Sequence, residues 1–142
     1  MIVQTFLPRA DFHRSAALLD YRRLGKQRVE VLQLLNALTG GGWRNHPAAK
    51  MWAGYAPALC VYGLAMCSRW VGMGFKDTCA GKIQSLMDEL GGEVVLPLWV
   101  GDPAFHASHR SNLLRKDSVF YGKFGWLEPH DLPYVWPKGD PQ

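Results

Sequence analysis

Long hydrophobic runs are missing from this chain. No apolar stretch approaches the about eighteen residues needed to cross a bilayer, so no membrane span is expected. The leading MIVQTFLPRADFHR lacks a basic start followed by a long apolar stretch. No secretory signal is read there, and a cytoplasmic protein is the expectation. Cysteine is scarce: Cys60, Cys67 and Cys79 contain no CxxC pair. On one helix Cys60 and Cys67 would share a face two turns apart, too far to bridge. Buried free thiols in a reducing compartment are therefore expected. GGGW carries neither the lysine nor the hydroxyl of a nucleotide-phosphate loop. The absence of G-x-S-x-G leaves serine-hydrolase chemistry unsupported. There is no internal repeat, linker or low-complexity tract.

What is present fits one domain over residues 1–142. Apolar residues make up 48% and charged residues 20%, which excludes disorder along the whole chain. The net charge of +4 permits a nucleic-acid partner without demanding one. The distribution says more, because the basic residues cluster at 22–28 and 109–123.

The expected fold class is mainly α, a compact helical domain with a long first helix and an extended aromatic C-terminal tail. Residues 1–8 read as an extended arm. Asp11 is the expected N-cap of a helix over about 12–38, which TGGGW ends. Pro47 is placed to open the next helix. The segment from Ala48 to about Gly72 is apolar on most sides and should be the central helix, with Pro57 predicting a kink or a division into two. A third helix is expected over about 78–90, stopped by Gly91-Gly92. Residues 94–105 read as an irregular loop, with Asp102 as a turn or capping residue. A fourth helix spans about 106–117, and an extended tail follows from Ser118.

YRRLGKQRVE, residues 21–30, gathers the densest chemistry. At 100° per residue, Tyr21, Leu24, Val31, Leu32, Leu35 and Leu38 share one arc, while Arg22, Arg23, Lys26, Glu30 and Gln33 share the other. Arg28 falls in the apolar arc and must snorkel, pair with a buried carboxylate or open into a cleft. Gly25, costly in mid-helix, implies close approach by another group. The cluster reads either as a solvated face or as a cleft in which cations hold phosphates and Glu30 handles protons.

Two further groups stand out. HASHRSNLLRK, residues 106–116, brings His106, His109 and Arg110 within two turns. It reads as a phosphate-binding helix start or as a capped, solvated helix. Zinc is disfavoured because His106 and His109 have no third ligand at metal spacing, so no metal or cofactor is expected. WRNHP, residues 43–47, joins Trp43, Arg44 and His46 on a turn. These could stack against a base, or Trp43 could fill the core while His46 caps a helix.

The order of LDYRRLGKQRVEVLQLL, CSRWVGMGFKD, GDPAFHASHRSNLL and FYGKFGW is similar to that of the pyrimidine-dimer DNA glycosylase family, the phage enzyme also called endonuclease V. The resemblance implies a mainly α, metal-free monomer that binds damaged or modified double-stranded DNA and extrudes a base. It implies a DNA N-glycosylase and AP lyase in which an amine attacks the sugar, forms a Schiff base and permits β-elimination. In that family the amine is the α-amine of a small residue exposed by methionine removal. Here Ile2 is bulky, so Met1 should be retained, and its amine or that of Lys26 is the candidate nucleophile. The family's acidic residue directly follows the aromatic–arginine pair. Arg23 stands there instead, leaving Glu30, two turns on, as the candidate acid/base.

The expected catalytic residues are thus Glu30, Lys26 and Met1. The expected DNA contacts are Arg22, Arg23, Arg28, Trp43, Arg44, His46, His106, His109, Arg110 and Lys123. Two alternatives stand beside this: a non-catalytic nucleic-acid-binding protein on the same scaffold, and an enzyme for another nucleoside or phosphorylated substrate.

Overall fold

The computed structural model describes residues 4–40 and 45–137. Among these it is helical without strands: α1 Phe12–Leu18, α2 Tyr21–Leu38, α3 Pro47–Trp52, α4 Ala56–Gly72, α5 Ala80–Leu90, α6 Pro103–Lys116 and α7 Ser118–Gly122. α4 is the centre, packing against α1, α2 and α5. Its buried residues include Leu59, Cys60, Tyr62, Met66 and Cys67. This is the all-round apolar helix that the sequence pattern predicts. All three cysteines are buried and free. Among the described residues no helix is long and apolar enough to cross a membrane.

The long first helix is two. The chain is extended at Leu19 and Asp20, and Asp20 caps α2 by accepting from the Arg23 N–H. The Tyr121 hydroxyl donates to the Asp20 carboxylate and accepts from its N–H, which fixes the break from the far end of the chain. Pro57 likewise begins a helix instead of kinking one, with α3 ending at Trp52 and α4 opening at Ala56. Asp11 and Asp102 cap α1 and α6 through their carboxylates. Gly91 closes α5 at φ 61°, a left-handed geometry that glycine adopts without penalty. The tail is not wholly extended: its first five residues form α7, capped by Asp117. Beyond it, Trp126 stacks on Tyr121 at 5.7 Å.

The arm over residues 4–8 is buried and extended, with no strand beside it. Buried backbone groups require partners, and here side chains supply them. The Phe6 N–H donates to Gln27 Oε1 at 2.9 Å, and Gln27 Nε2 donates to the Gln4 carbonyl at 2.8 Å. The Tyr62 hydroxyl donates to the Phe6 carbonyl at 2.8 Å. The Leu7 N–H donates to His109 Nδ1 at 2.9 Å, and His106 Nδ1 lies 2.8 Å from the Leu7 carbonyl. Arg110 Nη1 donates to the Pro8 carbonyl at 2.8 Å.

α6 holds the tail by the same device. Asn112 Nδ2 donates to the Leu132 carbonyl at 3.0 Å. Ser111 Oγ accepts from the Leu132 N–H at 3.0 Å, and Ser108 Oγ accepts from the Val135 N–H at 3.2 Å. The buried polar residues of α6 are therefore backbone partners for two irregular segments that a helical fold must otherwise leave unpaired.

Candidate functional site

α2, the C-terminal end of α6 and the arm enclose a cleft of about 800 Å³. α2 contributes Tyr21, Arg22, Arg23, Lys26, Gln27 and Glu30. Arg115 and Lys116 come from α6, Gln4 and Phe6 from the arm, and Tyr134 from the tail. The helical angle that collects the polar residues of α2 thus aims them at one space. Five cations line it against three carboxylates, Asp20, Glu30 and Asp117.

The carboxylates are not equivalent. Asp117 accepts from the Phe120 N–H as the cap of α7. Asp20 caps α2 and pairs with Arg23 at 3.1 Å. Burial pushes the Asp20 carboxyl up, but hydrogen bonds from Tyr121 and Arg23 outweigh it and hold the group below its ordinary range. Glu30 caps nothing and makes no ion pair among the described residues. It accepts from Gln27 Nε2 at 3.0 Å. Burial raises its pKa, and the opposing pull of Lys26 and the Gln27 hydrogen bond leaves it raised. Glu30 is therefore the cleft carboxyl most able to hold a proton and pass it on.

Gln27 connects this acid to the arm. Its Oε1 accepts from the Phe6 N–H and lies 2.6 Å from the Tyr62 hydroxyl, whose one proton it shares with the Phe6 carbonyl, while its Nε2 serves both the Gln4 carbonyl and Glu30. All four of its bonding positions are in use. Gln27 was absent from the sequence-derived site. The available signal was its place between Leu24, Val31 and Leu34 on the buried arc of α2, where an amide needs a reason.

The other candidates divide. Arg22, Arg23, Lys26 and Glu30 meet in the cleft. Lys123 lies outside its lining, with its ammonium 3.9 Å from the ring centroid of Phe120, a lining residue. Arg28 does not reach the cleft. It pairs with the nearly buried Asp77 and lies over the Trp70 ring at 4.3 Å. The ion pair gives half-buried Arg28 a structural role, and Arg28 also lines a second, shallower pocket with Arg22, Lys26 and Glu30. The same Trp70 explains Gly25, since a Cβ there would meet the indole at 3.0 Å.

His106 and His109 both lie inside the fold. His109 is fully buried and His106 is 5% exposed. His106 Nε2 accepts from the Gly101 N–H at 2.8 Å, so its Nδ1 carries the proton donated to Leu7. Burial lowers both pKa values, that of His109 to about 3, and both rings are neutral anchors of the arm. Arg110 makes a bidentate pair with Glu128 at 2.9 and 3.1 Å in addition to its bond to Pro8, so it too is committed within the protein. His46 caps α3, its Nδ1 accepting from the Ala48 N–H. Met1, Trp43 and Arg44 lie outside the described residues. No three His, Cys, Asp or Glu side chains come together as a ligand set among the described residues.

The fold and the cleft define an all-helical domain with an electropositive groove and one proton-competent carboxyl. Comparison with known families gives this class a particular member. The model of the pyrimidine dimer DNA glycosylase family matches residues 3–82, more than half of the chain, and the chain belongs to that family. No curated protein and no solved structure matches it. The match covers the arm and α1–α4 and ends at Lys82 within α5, so α6, with Arg115 and Lys116, lies beyond it.

Proposed function

We propose that the protein is a DNA N-glycosylase with AP lyase activity, acting on damaged or modified duplex DNA through an amine nucleophile and Glu30. The observation that carries this reading is the placement of Glu30, a carboxyl of raised pKa with no ion pair among the described residues, in a cation-lined cleft of a DNA glycosylase family member. Arg22 and Arg23 hold phosphates on one side of the target nucleotide. The amine lone pair attacks C1′, and the C1′–N bond breaks with its electrons going to the base, which takes a proton from the Glu30 carboxyl. The C1′–O4′ bond then breaks, O4′ takes its electrons and a proton from the attached ammonium, and an iminium remains at C1′. The resulting Glu30 carboxylate removes a C2′ proton, and the 3′ phosphate leaves. Water then releases the amine.

Two amines fit the family chemistry. Lys26 lines the cleft one turn from Glu30. An α-amine on Met1 is three residues from Gln4, which lines the same cleft, and three residues of chain reach at most about 10 Å. An α-amine with a pKa of about 7.7–8.0 is partly neutral at physiological pH. The test is incision of a duplex carrying a single pyrimidine dimer, comparing the wild type with Glu30→Gln. Loss of general acid–base catalysis should lower the rate by about 10²–10⁴-fold with folding and duplex affinity retained. Equal rates would reject Glu30.

One observation favours a second reading. Arg23 occupies the place where the resemblance puts the family's glutamate, and it is ion-paired with Asp20. A protein that binds DNA without cutting it would show salt-sensitive duplex affinity and no incision of any lesion.

A further inference from the structure

We infer that Tyr21 of α2 and Phe75 in the turn after α4 form a binding surface for an unpaired DNA strand, whose bases stack on their exposed rings. This goes beyond the duplex reading above and does not depend on the chemistry of Glu30.

The surface adjoins the cleft. A shallower groove of about 470 Å³ runs along α2, with Tyr21, Arg22, Lys26, Val29, Gln33 and Trp70 in its lining. Tyr21, Arg22, Lys26 and Glu30 line both spaces, so this part of α2 is a ridge between them. Three near-parallel rings stand here. Phe75 stacks on Trp70 at 4.2 Å and on Tyr21 at 6.2 Å, with planes 23° and 21° apart.

The rings have different duties. Trp70 is committed to the fold. Its Nε1 donates to the Lys76 carbonyl at 2.8 Å, its ring carries the Arg28 guanidinium, and its indole edge packs where Gly25 has no Cβ. Tyr21 and Phe75 are 49% and 40% exposed, and neither belongs to the core or to the apolar residues packed against it. Single exposed apolar residues are ordinary. Two exposed rings held in a stack by a third, beside two cations, form an organised surface.

Charge and shape select the occupant. Arg22 and Lys26 bring positive charge to the groove against Glu30, while Arg28 is paired with Asp77. A nucleic-acid strand supplies phosphates for the cations and flat rings for the aromatic faces. In a duplex the faces of each base are covered by its neighbours, so edges and phosphates are what a protein meets. An unpaired strand can turn its base faces outward onto Tyr21 and Phe75. The exposed amide of Gln33, in the same groove, can donate to and accept from a base edge.

The experiment measures binding of the full chain to two labelled single strands by fluorescence anisotropy. One is a short oligothymidylate, and the other has the same length but abasic sugars throughout, so that the phosphates are kept and the bases removed. The wild type should prefer oligothymidylate by about 5- to 150-fold for each stacked base. Phe75→Leu, which keeps an apolar side chain and removes the ring, should lose most of that preference, and Phe75→Tyr should keep it. Equal wild-type affinity for the two strands overturns the inference, and this comparison decides even if Phe75→Leu fails to fold. A preference undiminished in folded Phe75→Leu overturns the assignment to this surface. Neither result bears on duplex incision, which the Glu30→Gln comparison tests separately.

Discussion

His109 offers a test of how the arm is held. Its imidazole is fully buried, and its Nδ1 accepts from the Leu7 N–H at 2.9 Å, a bond that only the neutral ring can make in this orientation. In the unfolded chain the group titrates near its ordinary 6.5, and in the fold burial and then His106 depress it to about 3. Between those values the unfolded state holds one more proton than the native state. Stability contributed by the neutral ring is therefore complete above pH 6.5 and falls as the pH drops towards 3, by about 1.4 kcal/mol per pH unit. Lowering the pH from 6.5 to 4.5 should remove about 2–3 kcal/mol through this residue, a large part of the 5–15 kcal/mol typical of a domain. His106, also depressed, acts in the same direction, whereas Glu30, with its raised pKa, acts in the opposite one. The His109→Asn variant isolates the term, because an amide Oδ1 can accept from Leu7 and does not titrate. Urea unfolding of both proteins at pH 7, 6 and 5 reads the slope. His109→Asn should show a shallower loss of stability on acidification, by up to about 1.4 kcal/mol per pH unit. Parallel slopes would refute the neutral anchor.

Two further predictions concern the support of the site. Gln27→Leu leaves the Phe6 N–H and the Gln4 carbonyl without the partners they have here, at about 1–3 kcal/mol each in urea unfolding. The same change removes a hydrogen bond that lowers the Glu30 pKa, so the limb of the pH–rate profile governed by Glu30 should move upward. Asp77→Ala strands the Arg28 guanidinium in a largely buried position and should cost about 3–5 kcal/mol, measured by the same unfolding experiment, with duplex affinity unchanged where folding persists.

The sequence carried the helices further than the site. Pro47, Pro57, Gly91 and the capping aspartates Asp11, Asp102 and Asp117 are local signals, since each acts on its own neighbours. Asp11 and Asp102 were legible for that reason. The break at Asp20 was not, because the helical pattern continues through it and the Tyr121 hydroxyl that fixes it is 101 residues away. The cluster at 22–30 was legible as an amphipathic helix with Glu30 on its polar face, and the cleft brings Arg22, Arg23, Lys26, Gln27 and Glu30 together. The anchoring roles of His106 and His109 were not legible for a physical reason. Imidazoles on a helix start resemble ligands, and nothing local reveals that a buried N–H 102 residues earlier in the chain needs an acceptor.

The most direct test of the central claim is borohydride trapping on a duplex carrying one pyrimidine dimer, with wild type and Glu30→Gln compared at equal occupancy. The account predicts a covalent protein–DNA band for the wild type and a much weaker band for Glu30→Gln. Salt-sensitive duplex binding with no wild-type band, or bands of equal strength, would contradict amine chemistry assisted by Glu30 in this cleft.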